Sequence, residues 1–467
     1  MSYSILKKAK NTLIGDRNFY SKVFAIIIPM IIQNTVTNVV SLLDNIMVGR
    51  IGTLEMTAVA IDNQLMFVFN LCIFGGLAGA GIFSAQFAGA KDDTGLRHCF
   101  RIKCYIGAVM LILALAIFIL IPDTLINAYL AEGTSPEDIF ATLKYGKDYL
   151  FAMLFGLLPF AVSQIYASTL REVGETKLPM LASVIAIAVN LLFNYLLIFG
   201  KLGLPKLGVV GAAIATVLSR YVEMIIILIF THVNTKRFPF IKGVYASAKI
   251  PFTLCKKIMV SGAPLLINEF LWSLGMAVLL QCYSVRSLTV VAASNISNTA
   301  SNLFNVAFIS VGSAISILIG QALGAGKSEK AKDMVWKLMA LSVFLSAILG
   351  IVLAAIAKVI PLMYNTEQEV RTMASEFLYI VAALMPVFSF SHCCYFCLRS
   401  GGRTLITFLF DSAIVWGINI PVAFVLSSYT NINIVTVFLI VQCLDLIKCV
   451  LGFILVKKGV WVRKIVG

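Results

Sequence analysis

Three residues carry the first chemical signal in this sequence. Asp44 is a carboxylate inside an apolar run, and Asn190 and Asn194 lie four residues apart in another. In a helix that spacing puts both amides on one face. One carboxylate with amide oxygens is a hard-oxygen set that suits Na⁺. The same carboxyl group could instead carry a proton, because removal from water disfavours its charged form. Thr216 offers a weaker fourth oxygen. Ionisable groups inside apolar runs are costly and are functional candidates by default. The plain alternative is that Asp44 only joins helices by a hydrogen bond and the asparagines pack them.

Glu269 is a second candidate, near the middle of its apolar run and three residues before Trp272. The carboxylate could bind an organic cation or an ion, and the indole offers a cation–π face. The alternative is pairing with a basic side chain on a neighbouring helix. Asp411 and Asp62 lie nearer the ends of their runs and reach the interface in the simplest reading. Arg220 with Glu223 and Asp445 with Lys448 are opposite charges three apart on one helix, read as local neutralising pairs. Cys394 and Cys397 have a Cys-x-x-Cys spacing, but it falls within an apolar helix with no second pair, so no metal is assigned. Three histidines and no recognisable catalytic constellation argue against an enzyme, although a membrane-embedded enzyme is kept as the rival of another class. No cofactor is expected.

The elements that must position these residues are membrane helices. Apolar residues make up 60% of the chain and charged residues only 13%, with a mean hydropathy of +0.95. That departs far from a water-soluble domain. Apolar runs long enough to span a bilayer occur at Phe24–Gly49, Ala58–Ala88, Ile102–Ile121, Tyr149–Leu170, Leu178–Phe199 and Val209–His232. A second set follows at Ile258–Ser284, Val290–Leu323, Val335–Ile360, Phe377–Leu398, Leu405–Ser428 and Ile432–Val456. The prediction is an all-α membrane protein of about twelve spans. The net charge of +15 lies mostly in the loops. Lys7, Lys8, Lys10, the basic linker 233–257 and Lys457 to Lys464 fall on one side of a twelve-span topology. The positive-inside rule then places both termini and the linker in the cytoplasm of a plasma membrane. These charges fit anionic lipid, not nucleic acid.

The two halves echo each other. Pro29 and Pro264 are 235 residues apart, and so are Gln86-Phe-Ala-Gly-Ala90 and Gln321-Ala-Leu-Gly-Ala325. Leu170-Arg-Glu-Val-Gly174 is echoed at Leu398-Arg-Ser-Gly-Gly402. An even number of spans per half gives parallel repeats. The expected architecture is two pseudo-symmetric six-helix lobes, 1–232 and 258–467, joined by the linker 233–257.

Several segments resemble the multidrug and toxic compound extrusion (MATE) family. They are Leu43-Asp44-Asn-Ile-Met-Val48-Gly49, Gly211-Ala-Ala-Ile-Ala-Thr216, Pro264-Leu-Leu-Ile-Asn-Glu269-Phe-Leu-Trp272, Gln321-Ala-Leu-Gly324 and Arg399-Ser-Gly-Gly402. The resemblance runs from about Phe24 to the carboxyl end. It implies a monomeric antiporter that exports small, often cationic organic molecules in exchange for Na⁺ or H⁺. It also implies that Asp44, Asn190 and Asn194 belong to an amino-lobe cation site. One branch of the family has an acidic residue where this chain has Asn194, and many relatives have an aspartate where it has Arg403. A flippase for a lipid-linked precursor is the alternative within the same superfamily. Such proteins often use a basic cavity, whereas Arg220 and Lys448 each have an acidic neighbour here.

Overall fold

The computed structural model describes residues 13–130, 135–364 and 366–467, with the backbone alone at Ser41, Leu42, Asn45, Ile46, Thr53 and Leu288. Lys7, Lys8 and Lys10, which weigh in the expected topology, lie outside the described residues. Among the described residues every regular element is a helix. Lipid offers no hydrogen bonds to the backbone, so long apolar runs must satisfy their own peptide groups. Among the described residues eleven helices are long and apolar enough to cross a membrane, and a bent pair makes up to twelve.

The first half comprises α1 (Arg17–Gly49), α2 (Thr53–Ala90), α3 (Asp93–Leu120), α4 (Pro136–Leu154 and Leu157–Glu172), α5 (Lys177–Phe199) and α6 (Gly208–Val233). The second comprises α7 (Phe252–Ser284), α8 (Leu288–Gly324), α9 (Ser328–Ile356), α10 (Gln368–Ser400), α11 (Thr404–Tyr429) and α12 (Ile434–Lys457). The helices α1, α2, α7 and α8 run to 33, 38, 33 and 37 residues. All four exceed the roughly 20 residues that a bilayer needs.

By contacts the chain divides into two compact units, Ile32–Ser84 with Asp93–Lys257, and Met1–Ile31 with Ala85–Asp92 and Ile258–Gly467. The boundaries at 31/32 and 84/85 fall inside α1 and α2, not in loops.

In the unit of Ile32–Ser84 and Asp93–Lys257, α4 is bent by 48° at Phe155–Gly156. Pro159 explains the bend, because its ring crowds the carbonyl of residue 155 and it has no N–H to give. Arg220 braces the bend by donating to the Gly156 carbonyl at 3.3 Å, with its guanidinium 5.0 Å from the centre of the Phe160 ring. Glu223 instead accepts from Ser183 at 2.5 Å, and Ser183 accepts from Gln33 at 2.7 Å. The i,i+3 spacing of Arg220 and Glu223 thus conceals two separate long-range tasks. The linker is also more than a tether. Phe238, Phe240, Ile241 and Val244 are buried. Arg97 donates to the Phe240 carbonyl at 3.1 Å, and Arg101 to the carbonyls of Val244, Lys249 and Gly243 at 2.7, 3.1 and 3.1 Å.

In the other unit, α2 and α8 meet through the repeated motif. A Cβ built on Gly89 would overlap the carbonyl oxygen of Gln321, and one built on Gly324 would overlap that of Gln86. Only glycine admits backbones this close. The Gln86 side chain then ties the carboxyl-terminal segment. It donates to the carbonyls of Ser400 and Arg463 at 3.2 and 3.1 Å and accepts from the Ile465 N–H at 2.9 Å. A core of Ile27, Val311, Ile315, Leu338 and Trp461 also encloses Cys393, Cys394 and Cys397, which are buried and free.

Candidate functional site

Asp44, Asn190, Asn194 and Thr216 come together. The site is built by α1, α5 and α6. On α5 the two asparagines are one turn apart and buried, with their amides in contact at 3.1 Å. Asn194 also donates to Asp44 Oδ1 at 2.6 Å. Thr216 faces Asn190 at 3.2 Å and donates its own proton to the Ala212 carbonyl at 3.0 Å.

The amide of Asn190 is oriented by its partners, since nitrogen and oxygen are told apart only by what they face. With Nδ2 turned to the two Asp44 oxygens at 3.0 and 3.2 Å, the amide oxygen faces the Thr216 hydroxyl at 3.2 Å, and the carboxylate has a second amide donor beside Asn194. The Asn194 oxygen is buried with no partner. An unpaired buried carbonyl is costly.

Replacing Asn190 or Asn194 by alanine is expected to raise the ion concentration for half-maximal transport about tenfold, with a smaller change in maximal rate. The expectation follows from amides that carry oxygens but no charge. An unchanged half-saturation in both variants would reduce them to packing residues.

Glu269 lies on α7 and accepts from the Tyr395 hydroxyl at 3.3 Å. Its neighbour Asn268 is buried and central. It donates to Asp411 Oδ2 at 3.1 Å and to Tyr395 at 3.4 Å, and it accepts from the Ser412 hydroxyl at 2.6 Å. Trp272 is one turn beyond Glu269 and 39% exposed. Asn268 and Tyr395 escape notice in the sequence. Their only signal there is adjacency, Asn268 beside Glu269 and Tyr395 one turn before Arg399. Asp411 does not reach for the interface. It pairs with Lys448 at 3.0 Å, closer than the 3.7 Å between Lys448 and Asp445. Asp62 is fully buried on α2 and neither carboxylate oxygen has a partner. Among the described residues no group of three or more His, Cys, Asp or Glu is arranged to hold a metal.

The MatE family model matches residues 29–196 and 264–425, one block in each half. The chain is 26% identical over 416 residues to the probable multidrug resistance protein YoeA of Bacillus subtilis (strain 168), covering 88% of each chain. It is 23% identical over 442 residues to a probable multidrug resistance protein NorM of Thermotoga maritima, covering 94% of this chain and 92% of that one. Among solved structures, the Vibrio cholerae MATE transporter VcmN superposes with a TM-score of 0.84 at 16% identity, covering 95% of this chain and 97% of that one. An outward-facing MATE family transporter of the MOP superfamily gives 0.82 at 18% identity, with 96% and 97% covered. At these identities the structures speak for the fold alone, and they bear out the all-α membrane fold of about twelve spans.

Proposed function

The chain belongs to the MatE family, and from that premise we propose that it is a secondary active antiporter for multiple drugs. It exports amphipathic, often cationic organic molecules by alternating access, in exchange for Na⁺ or H⁺. The observation that carries this reading is the Asp44 carboxylate, reached by Asn194 at 2.6 Å and bordered by a buried amide oxygen without a partner. Coupling needs a group whose occupancy biases one conformation over another, because a ligand shifts an equilibrium only by its differential affinity. Like the relatives with multidrug resistance names, the chain would act on small molecules and do no covalent chemistry. Both termini are assigned to the cytoplasm and the protein to the plasma membrane, acting as a monomer. A flippase with a free basic cavity is disfavoured by Lys448, which two carboxylates hold.

Dye export measured in everted vesicles under separate Na⁺ and H⁺ gradients tests the proposal. Accumulation driven by one gradient and collapsed by its dissipation is expected. Indifference to both gradients would end the antiport reading.

Glu269→Gln is expected to slow export of a cationic dye about tenfold or more, while a neutral substrate of similar size is less affected. The buried carboxylate offsets the cost of taking a cation out of water. Equal losses for both substrates would assign Glu269 to coupling or structure.

A further inference from the structure

The pair formed by Lys448 and Asp411 has no part in the antiport cycle as proposed. Lys448 is 6% exposed and sits on α12, with Asp411 Oδ1 at 3.0 Å on α11 and Asp445 Oδ1 at 3.7 Å one turn back on its own helix. Only the nearer distance is a hydrogen bond. One buried ammonium therefore serves two carboxylates, and its three N–H donors are not all used by them.

Two breaks in regular helix frame this cluster. Span α11 contains a π-helical turn at Val415–Asn419, and α12 is interrupted at Leu444, immediately before Asp445. The π turn delivers Asn419, whose side chain is within hydrogen-bonding reach of Asp445. Asn419 is 7% exposed and its amide oxygen has no partner. Asn268 braces Asp411 from α7. The centre thus holds two carboxylates beside a single positive charge, and behind Asp445 lies a buried amide oxygen that does not reach the ammonium. Irregular backbone inside a membrane is tolerated where it lines a site, and π turns concentrate at such places.

This is the ligand inventory of a site for one small monovalent cation, filled from within the chain. We propose that Asp411 and Asp445 form a monovalent-cation site whose resident cation is the ammonium of Lys448, with the free oxygen of Asn419 within reach of a smaller ion that replaced it. A free ion can leave during a transport cycle, whereas this one is tethered by its own side chain. The charge of this carboxyl-half cluster is then constant. Removing the ammonium leaves two buried carboxylates without a counter-ion, and a free cation should take its place.

The test reads binding, not transport, so its failure and that of the antiport reading are separable. Full-length protein carrying Asp44→Asn, which silences the amino-half candidate site, is purified in detergent with and without Lys448→Ala. Thermal midpoints are compared in NaCl, KCl and choline chloride at equal ionic strength. With Lys448 present, the three salts should give the same midpoint. With Lys448→Ala, the midpoint should fall in choline and rise saturably in NaCl, by about 3 °C or more at high Na⁺. Adding Asp411→Asn should abolish that rise. Lys448→Gln, which keeps length and loses charge, is the second variant and should behave like alanine. A folded alanine or glutamine variant indifferent to Na⁺ overturns the proposal. So does a Na⁺-specific rise that needs Asp411 while Lys448 is intact. If neither variant can be recovered even in NaCl, a free cation does not replace the ammonium, and the proposal also fails.

Discussion

Asp44→Asn is expected to abolish gradient-driven export while the protein still folds and inserts. The substitution keeps the shape of the side chain and one oxygen, so the 2.6 Å hydrogen bond from Asn194 can persist. The stability cost should stay within about 1–2 kcal/mol. What disappears is the negative charge, the only part of the cluster that changes its interaction with the surroundings when a cation or proton arrives. One charge moved across 100 mV corresponds to about 2.3 kcal/mol, or roughly fifty-fold accumulation. A variant without that charge should accumulate substrate no further than equilibrium, although downhill exchange can persist. Export and membrane expression must be measured on the same preparation. Near-normal accumulation that still collapses with the gradient would remove Asp44 from the mechanism.

The second large effect is on folding. Gly89→Ala and Gly324→Ala should each yield little or no folded protein. In both cases the new methyl group meets a backbone carbonyl of the opposite helix, Gln321 for one and Gln86 for the other. A side chain in the way could rotate, but a carbonyl moves only with its helix. Ordinary overpacking costs about 1–3 kcal/mol, and prying two long helices apart belongs to the rarer class above about 4 kcal/mol. Separation would also strain the Gln86 bonds to Ser400, Arg463 and Ile465. Gly417→Ala is the control, because a Cβ there meets nothing within 4 Å. Monodisperse protein at normal yield from Gly324→Ala would contradict the close approach.

Much of this is legible in the residues alone. A carboxylate is so costly in lipid that Asp44 announces itself, and a four-residue spacing suffices to pair Asn190 with Asn194. The spans follow from length and hydropathy. What stays hidden has a common physical cause. Lys448 has an acid three residues away, which satisfies any local reckoning of charge, yet the nearer partner is Asp411, 37 residues back in sequence. Arg220 and Glu223 mislead in the same way. Arg97 and Arg101 hold the linker through backbone carbonyls, and a backbone acceptor leaves no mark in a sequence. The exposure of Trp272 and the full burial of Asp62 depend on helix rotation, which unbroken apolar runs do not encode.

The mutual fit of Gly89 and Gly324 bears on how such a chain can change over time. Each half supplies both the glycine and the carbonyl that its counterpart needs, which is the pattern of an isologous contact between two copies of one surface. If the halves descend from a duplication, their common ancestor would have made this contact with a second molecule of itself. After fusion neither copy could drift freely, because the space forbidden to one is fixed by the backbone of the other. At this crossing both halves still read Gln-x-x-Gly-Ala.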